Sequence, residues 1–213
     1  MTGPEAPTTA PCLVWGAAGR PMPGETENGD QAVIAGLDDG ALVAVVDGLG
    51  HGPEAALAAE RARALVEAHA GVPSGAVDLD AVMSAAHDRL ARTRGVAMTI
   101  AAIGCAGRMH WLGVGNVEAH VLRADGPRAR RLASAVLYGG VVGYRLPRLR
   151  VSTVQLDPGD VVVLATDGID VDFTDHAVLA DEPQRLAERL LQRCARANDD
   201  ALVAAVRYVG RTT

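Results

Sequence analysis

Two strand-like runs, Ala41 to Val46 and Val161 to Ala165, are apolar throughout, and each leads into an aspartate followed by glycine: Asp47-Gly48 and, one residue further on, Asp167-Gly168. An uninterrupted apolar strand is buried on both faces and so fixes the acid at its end, while glycine lets the backbone turn tightly. Two more acidic stations stand beside strand-like runs, Asn28-Gly29-Asp30 and Asn198-Asp199-Asp200. Carboxylates gathered from four distant parts of a chain repel one another unless cations lie between them. The pattern predicts a centre for hard metal ions.

The chain has 213 residues and is about half apolar. That is enough for one compact domain with a substantial core and too little for a second full domain. The formal charge of -6 gives no reason to expect nucleic acid as a partner. All 20 basic residues are arginine, because lysine is absent. Cys12, Cys105 and Cys194 are too few and too scattered for a disulfide scaffold and have no zinc spacing, so the expectation is small core thiols in a reducing compartment. No stretch approaches the roughly 20 apolar residues that cross a bilayer, and Met1 to Pro11 lacks a signal pattern. The reading is a cytoplasmic protein without a membrane partner, with a disordered tail over residues 1–11 and a single domain over residues 12–210.

Strand patterns fall at Cys12 to Ala17, Asp30 to Leu37 and Ala41 to Val46, the last two joined at Asp38-Asp39-Gly40 as a hairpin. Pro53 and Glu54 open a helix that continues through Ala55 to Ala70, and a second helix is expected over Leu79 to Thr93 with Asp78 near its start. A meander follows, at Val96 to Cys105, Met109 to Val114 and Asn116 to Arg123, with a further strand over Arg128 to Val136. Leu149 to Leu156 and Val161 to Ala165 flank the turn Asp157-Pro158-Gly159-Asp160. Pro183 to Ala197 reads as a helix and Ala201 to Val209 as a closing strand. Consecutive hairpins with a few long helices give an α+β fold in which helices cover antiparallel sheets.

If Asp47 bridges two ions and the Gly48 carbonyl adds an oxygen, Asp167 and Asp199 can complete one shell while Asp30 holds the other ion through water. All-oxygen ligands suit Mg2+ or Mn2+ better than Zn2+. Two such ions acidify a water and neutralise phosphate oxygens, which points to phosphomonoester hydrolysis without a covalent intermediate.

The motifs Arg20-Pro-Met-Pro-Gly-Glu25 with Gly29-Asp30, Val46-Asp-Gly-Leu-Gly-His-Gly52, Gly113-Val-Gly-Asn-Val-Glu118, Leu164-Ala-Thr-Asp-Gly168 and Asn198-Asp-Asp-Ala201 resemble, in order and spacing, those of the PPM class of metal-dependent serine/threonine phosphatases. Within that class the chain is most similar to the compact bacterial SpoIIE and RsbX branch, from about Cys12 to Val209. The resemblance implies a four-layer α-β-β-α sandwich with two central antiparallel sheets and two Mn2+ or Mg2+ ions at one end. Carried over, Asp47 bridges the ions and Gly48 offers its carbonyl. Asp167 and Asp199 complete one ion, and Asp30 holds water on the other. Asp199 is preferred to Asp200 because the first acid of the family's closing pair is the ligand. The implied substrate is a phosphorylated STAS-domain or other regulatory protein of a partner-switching or stressosome pathway.

Two positions depart from larger members. Leu49 stands where they place a histidine able to act as general acid, leaving His51 as a substitute for protonating the leaving alkoxide, or as a residue that caps or packs the following helix. Asn116 stands where they place an aspartate for a third metal, so two ions are expected. Other readings are weaker. Asp170-Val-Asp172-Phe-Thr174 matches a haloacid-dehalogenase signature, but it comes late in the chain and no lysine follows. At the spacing of a cysteine-phosphatase loop, Cys12, Cys105 and Cys194 are followed by Ala18, Trp111 and Asp200 instead of arginine. A catalytically silent regulator that binds a phosphoprotein is the alternative of another class. The arginines from Arg123 to Arg150 read as a solvated segment or as a docking surface, with Gly139-Gly140 and Pro147 suggesting local mobility. Trp15 and Trp111 are assigned to the core.

Overall fold

A computed structural model describes residues 10–126 and 128–211. The strands are β1 (Leu13–Arg20), β2 (Asp30–Leu37), β3 (Gly40–Gly48), β4 (Val96–Gly104), β5 (Arg108–Val114), β6 (Glu118–Asp125), β7 (Arg128–Ser134), β8 (Leu137–Tyr138), β9 (Ser152–Gln155), β10 (Val161–Ala165) and β11 (Ala201–Tyr208). The helices are α1 (Pro53–Glu67), α2 (Leu79–Leu90) and α3 (Pro183–Cys194). One sheet runs β1-β11-β10-β6-β7 and the other β2-β3-β4-β5-β8, with β9 also pairing on β5. Every pairing is antiparallel except the two-residue β5-β8 contact.

Three hydrophobic clusters make the layers. Side-chain alternation sends Leu42, Ala44 and Val46 of β3, with Met98 and Ile100 of β4, toward α1 and α2. Ala41, Val43 and Val45 face the opposite way and meet Val162, Leu164, Leu202 and Ala204 of the other sheet. Val161, Val163, Val203 and Ala205 pack outward on Leu186, Ala187 and Leu190 of α3. The central strands are covered on both faces, which is why they read as unbroken apolar runs in an antiparallel fold. The four-layer α-β-β-α sandwich expected from the sequence is the observed fold.

Several boundaries move for local reasons. Strand β1 extends to Arg20, paired with Ala201 on β11. Asp78 caps α2 by accepting from the Ala81 amide (3.1 Å), and the helix stops at Leu90, whose carbonyl accepts the Thr93 hydroxyl (2.8 Å). Only Ser152–Gln155 of the expected Leu149 to Leu156 strand pairs. Helix α3 ends at Cys194 because Ala195 bridges to Ile169 and the Arg196 amide donates to the Gly168 carbonyl (2.8 Å). That pairing fixes the segment after Asp167.

The cysteine expectation is overturned in part. Cys12 and Cys105 form a disulfide across 93 positions, with Cα atoms 5.4 Å apart, while Cys194 is free and buried. Sequence spacing cannot show this contact. It arises because Tyr208 pairs with Leu13 in the β1-β11 register and gives its hydroxyl to the Cys105 carbonyl (2.9 Å). Residues 1–9 of the proposed tail lie outside the described residues, whereas Ala10 is buried. Trp111 is a core residue as expected, and Trp15 is half-buried against the core between the sheets. The segment with Gly139-Gly140 is tied down. Val142 is buried and exchanges hydrogen bonds with Val96 (2.9 Å each way), and the Gly143 amide donates to His87 Nδ1 (3.0 Å).

Helix α3 begins against the free edge of β1. The Gln184 side chain accepts from the Ala17 amide and donates to the Ala17 carbonyl (3.1 Å each), satisfying that edge. A Cβ at Gly16 would overlap the Gln184 backbone. Gly16→Ala is therefore expected to lower unfolding stability by about 2 kcal/mol, within the usual cost of overpacking. Urea denaturation checks this, and an unchanged midpoint would contradict the close approach.

Candidate metal centre

The four acidic stations meet at one end of the sandwich, and strand parity places them there. Asp30 shares the parity of Ala32 and Ile34, and Asp47 that of Val43 and Val45, so both face the space between the sheets. They are direct partners in the β2-β3 register. Thr166, in the parity of Val162 and Leu164, reaches across from the other sheet. Its hydroxyl donates to Asp30 Oδ2 (2.7 Å) and accepts from the Leu202 amide (3.0 Å).

Asp200 shares the parity of Leu202 and Ala204, and its carboxylate accepts from the Met22 amide (2.7 Å) and the Gly29 amide (3.0 Å). These bonds fasten the loop before β2 to the start of β11. The Asp199 carboxylate accepts the neighbouring Asp200 amide (3.0 Å) and stays more open. The glycines that follow the key acids serve close packing more than turning. A Cβ at Gly48 would overlap the Ala55 carbonyl of α1, and one at Gly168 would overlap the Asp200 carbonyl. Neither glycine has positive φ.

Asn116 enters from the β5-β6 connection, where the chain changes sheets. Gly115, at φ 94°, turns the backbone against Ala97, and the buried Thr99 hydroxyl holds the Val117 carbonyl (2.6 Å). This aims the Asn116 amide at Asp167 Oδ2, to which it donates (2.5 Å). Arg20 spends its guanidinium on the carbonyls of Pro21, Asp199 and Arg196. His51 does not cap α1, whose N-terminus has no side-chain cap; it pairs instead with Glu25 (2.7 Å). Asp170 pairs with Arg196 (3.0 Å) at the rim. The Asp170 to Thr174 segment runs into a short 3-10 helix after β10, far from the early parallel strand that its signature would require.

Burial, opposed by the Thr166 hydrogen bond and reinforced by Asp200, Asp167 and Asp199, pushes the Asp30 carboxyl up to about 7. Burial pushes Asp47 up to about 9, followed by the charges of Asp30, Asp167 and Asp199 and a carboxyl–carboxyl hydrogen bond to Asp167. Asp199 is also raised, by burial and then by Asp167, with His51 acting weakly against the shift. No basic side chain forms an ion pair with Asp30, Asp47, Asp167 or Asp199 among the described residues.

No three acid, histidine or cysteine side chains converge at metal-ligand spacing among the described residues. The acids nevertheless lie close enough for their charges to raise the proton affinity of Asp30, Asp47 and Asp199. An all-oxygen set of carboxyls without basic partners, one buried and three half-buried, with a neighbouring carbonyl fits a hard divalent cation in place of protons.

Two antiparallel-rich sheets between helices, with these acids at their shared end, define the fold class as that of the PPM metal-dependent phosphatases. The family model for stage II sporulation protein E (SpoIIE) matches residues 38–209, and the chain belongs to this family. One similar solved structure comes from work described as the bacterial stressosome, a modular system adapted to control secondary messenger signalling. It is 28% identical with a TM-score of 0.79, covering 92% of this chain and 99% of that one. RsbX in complex with magnesium is 19% identical with a TM-score of 0.76, covering 92% and 94%. The catalytic domain of the serine/threonine phosphatase PstP with two manganese ions is 19% identical with a TM-score of 0.67, covering 92% and 97%. At these two identities the likeness shows the fold. No curated protein matches the chain by sequence. No helix of the described residues is long and apolar enough to cross a membrane.

The raised carboxyls set a pH dependence. Unfolded aspartates titrate near 3.9, whereas Asp30 and Asp47 keep their protons to about 7 and about 9. Between these limits the native state binds more protons than the unfolded chain, so metal-free stability falls as pH rises from about 4 through about 9. Thermal unfolding in chelator is expected to show this decline, and saturating Mn2+ should raise Tm most at the alkaline end of the window. A metal-free profile that rises with pH there would contradict the assignment.

Proposed function

We propose that this chain is a metal-dependent phosphatase that releases phosphate from phosphoserine or phosphothreonine on a regulatory protein. The observation that carries the reading is the set of buried and half-buried carboxyls, raised by one another's charge and without basic partners, at the joint of the two sheets. Membership of the SpoIIE family gives that chemistry its reaction class. Asp47, Asp167 and Asp199 are the catalytic acids. Asp47 would lie between two Mn2+ or Mg2+ ions, with the Gly48 carbonyl, Asp167 and Asp199 as further ligands and Asp30 acting through water. Two such ions, when bound, acidify a water and neutralise the phosphoryl oxygens.

The remaining work falls to the chain. Asn116 holds one Asp167 oxygen with its amide and leaves the other for a cation. Carrying no negative charge of its own, it favours a two-ion centre over a three-ion one. Thr166 orients Asp30 and couples the two sheets. Asp200 is committed to backbone amides, which supports Asp199 as the ligand of the closing pair. His51, held by Glu25 and close enough to act electrostatically on Asp199, is the candidate to protonate the leaving alkoxide.

A phosphorylated STAS-domain protein of a partner-switching or stressosome pathway is the proposed substrate, supported by the stressosome-derived and RsbX structures among the similar folds. Mn2+ should stimulate phosphate release from such a protein. Asp47→Asn should lower the rate by more than about a hundredfold, beyond the usual effect of disturbing a ligand's support. Equal activity in the variant would sink the catalytic assignment. Metal-independent binding of the phosphoprotein without phosphate release would favour a catalytically silent regulator.

A further inference from the structure

A pocket of about 370 Å³ opens directly beside the acidic centre and shares Asn116, Thr166 and Asp167 with it as one wall. Beyond that wall its surface changes character. Ile169 and Phe173 are nearly fully buried and form a fixed apolar floor, while Leu137 is half-buried and Val171 is 57% exposed at the lip. An exposed valine over a buried phenylalanine is apolar surface that the folded chain leaves unused.

Apart from Asp167 of the shared wall, the charged residues in the lining are Glu118 and Arg196, and both are already engaged. Glu118 bonds the buried His120 ring (2.9 Å), whose other nitrogen meets the Ser134 hydroxyl (2.8 Å) and whose centroid lies 5.5 Å from that of the tilted Phe173 ring. Arg196 is paired with Asp170 (3.0 Å), and its backbone is fixed to Gly168. A charged guest would compete with the bond from Glu118 to the buried His120 ring or with the exposed Arg196–Asp170 pair, whereas an apolar guest would leave both in place and cover the apolar floor. Because the pocket and the acids share a wall, a residue flanking the group that reacts at the acids lies within reach of it.

We propose that this pocket is a substrate subsite that takes a bulky apolar side chain next to the phosphorylated serine or threonine, with Val171, Ile169, Phe173 and Leu137 determining specificity. The inference rests on the phosphatase reading. It adds what that reading lacks, a sequence preference around the phosphate. The pocket is large enough for leucine or phenylalanine and is built by the β10-α3 segment that the Arg196–Gly168 bond holds in place.

The test is a phosphoserine peptide series with leucine, phenylalanine, glycine or aspartate at each of the two positions before and after the phosphoserine, assayed with Mn2+. At one position or more, leucine or phenylalanine should be preferred over glycine in kcat/KM by at least about tenfold, the scale of apolar pocket discrimination. Val171→Asp should collapse that ratio to near one. The ratio is taken within each variant and so cancels any general effect on the metal centre. Ratios below about threefold at every position, or a ratio unchanged in Val171→Asp, would overturn the subsite. If neither the peptides nor a small aryl phosphate are hydrolysed, the phosphatase reading fails separately. Fluorescence anisotropy of the same peptides then decides the subsite, with tighter apolar-flanked binding lost in Val171→Asp supporting it and equal binding overturning it.

Discussion

Repulsion among carboxyls buried at the seam of two sheets is the constraint around which this protein is arranged. Asp30 and Asp47 face each other across a strand pair, and Asp167 and Asp199 arrive from the opposite sheet. Asp30 is buried and its three partners are half-buried, so keeping all of these groups ionised is costly, and protons or cations offset it. The surrounding bonds fit that need. Thr166 stabilises one oxygen of Asp30, Asn116 one oxygen of Asp167, and the Met22 and Gly29 amides occupy the two oxygens of Asp200. Each is a neutral donor, so none of them cancels the charge that a metal would meet.

The sandwich supplies the rigidity this arrangement needs. Both inner strand pairs are sealed on two faces, by helices outside and by the opposing sheet inside. Several connections come together at the acidic end, including the β5-β6 crossing that carries Asn116 and the loop before β2 that ends at Asp30. Helix α1 approaches Gly48, and the start of β11 approaches Gly168, so closely that no side chain fits at either glycine. The acids are thereby anchored by packing as well as by hydrogen bonds, as a functional site on strand ends requires.

Much of this was legible in the residues. The apolar runs of β3 and β10 announced two-sided burial, and the Asp-Gly pairs marked their ends, so the layered fold and the gathering of the acids could be expected. The role of the glycines was misjudged, because close approach to Ala55 and Asp200 is a tertiary fact that a tight-turn rule does not contain. Parity was readable but its consequence was not. The same alternation that turns Asp200 inward leaves Asp199 open, and the Thr166 bridge follows only once the two sheets are stacked. Asn116 was legible as a missing charge, whereas its amide bond to Asp167 depends on the sheet crossing at Gly115. The Cys12–Cys105 bond lay beyond reach, since two residues 93 positions apart meet only once the sheet of β1 and β11 is stacked on the sheet of β4.

The central claim is that these carboxyls exist to hold two divalent ions with Asp47 between them. Isothermal titration of the chelator-stripped protein with Mn2+ tests it most directly. The account predicts two ions per wild-type chain, proton release on binding that grows with pH, and weakening of both sites in Asp47→Asn. A single site, or two sites of unchanged affinity in the variant, would contradict it.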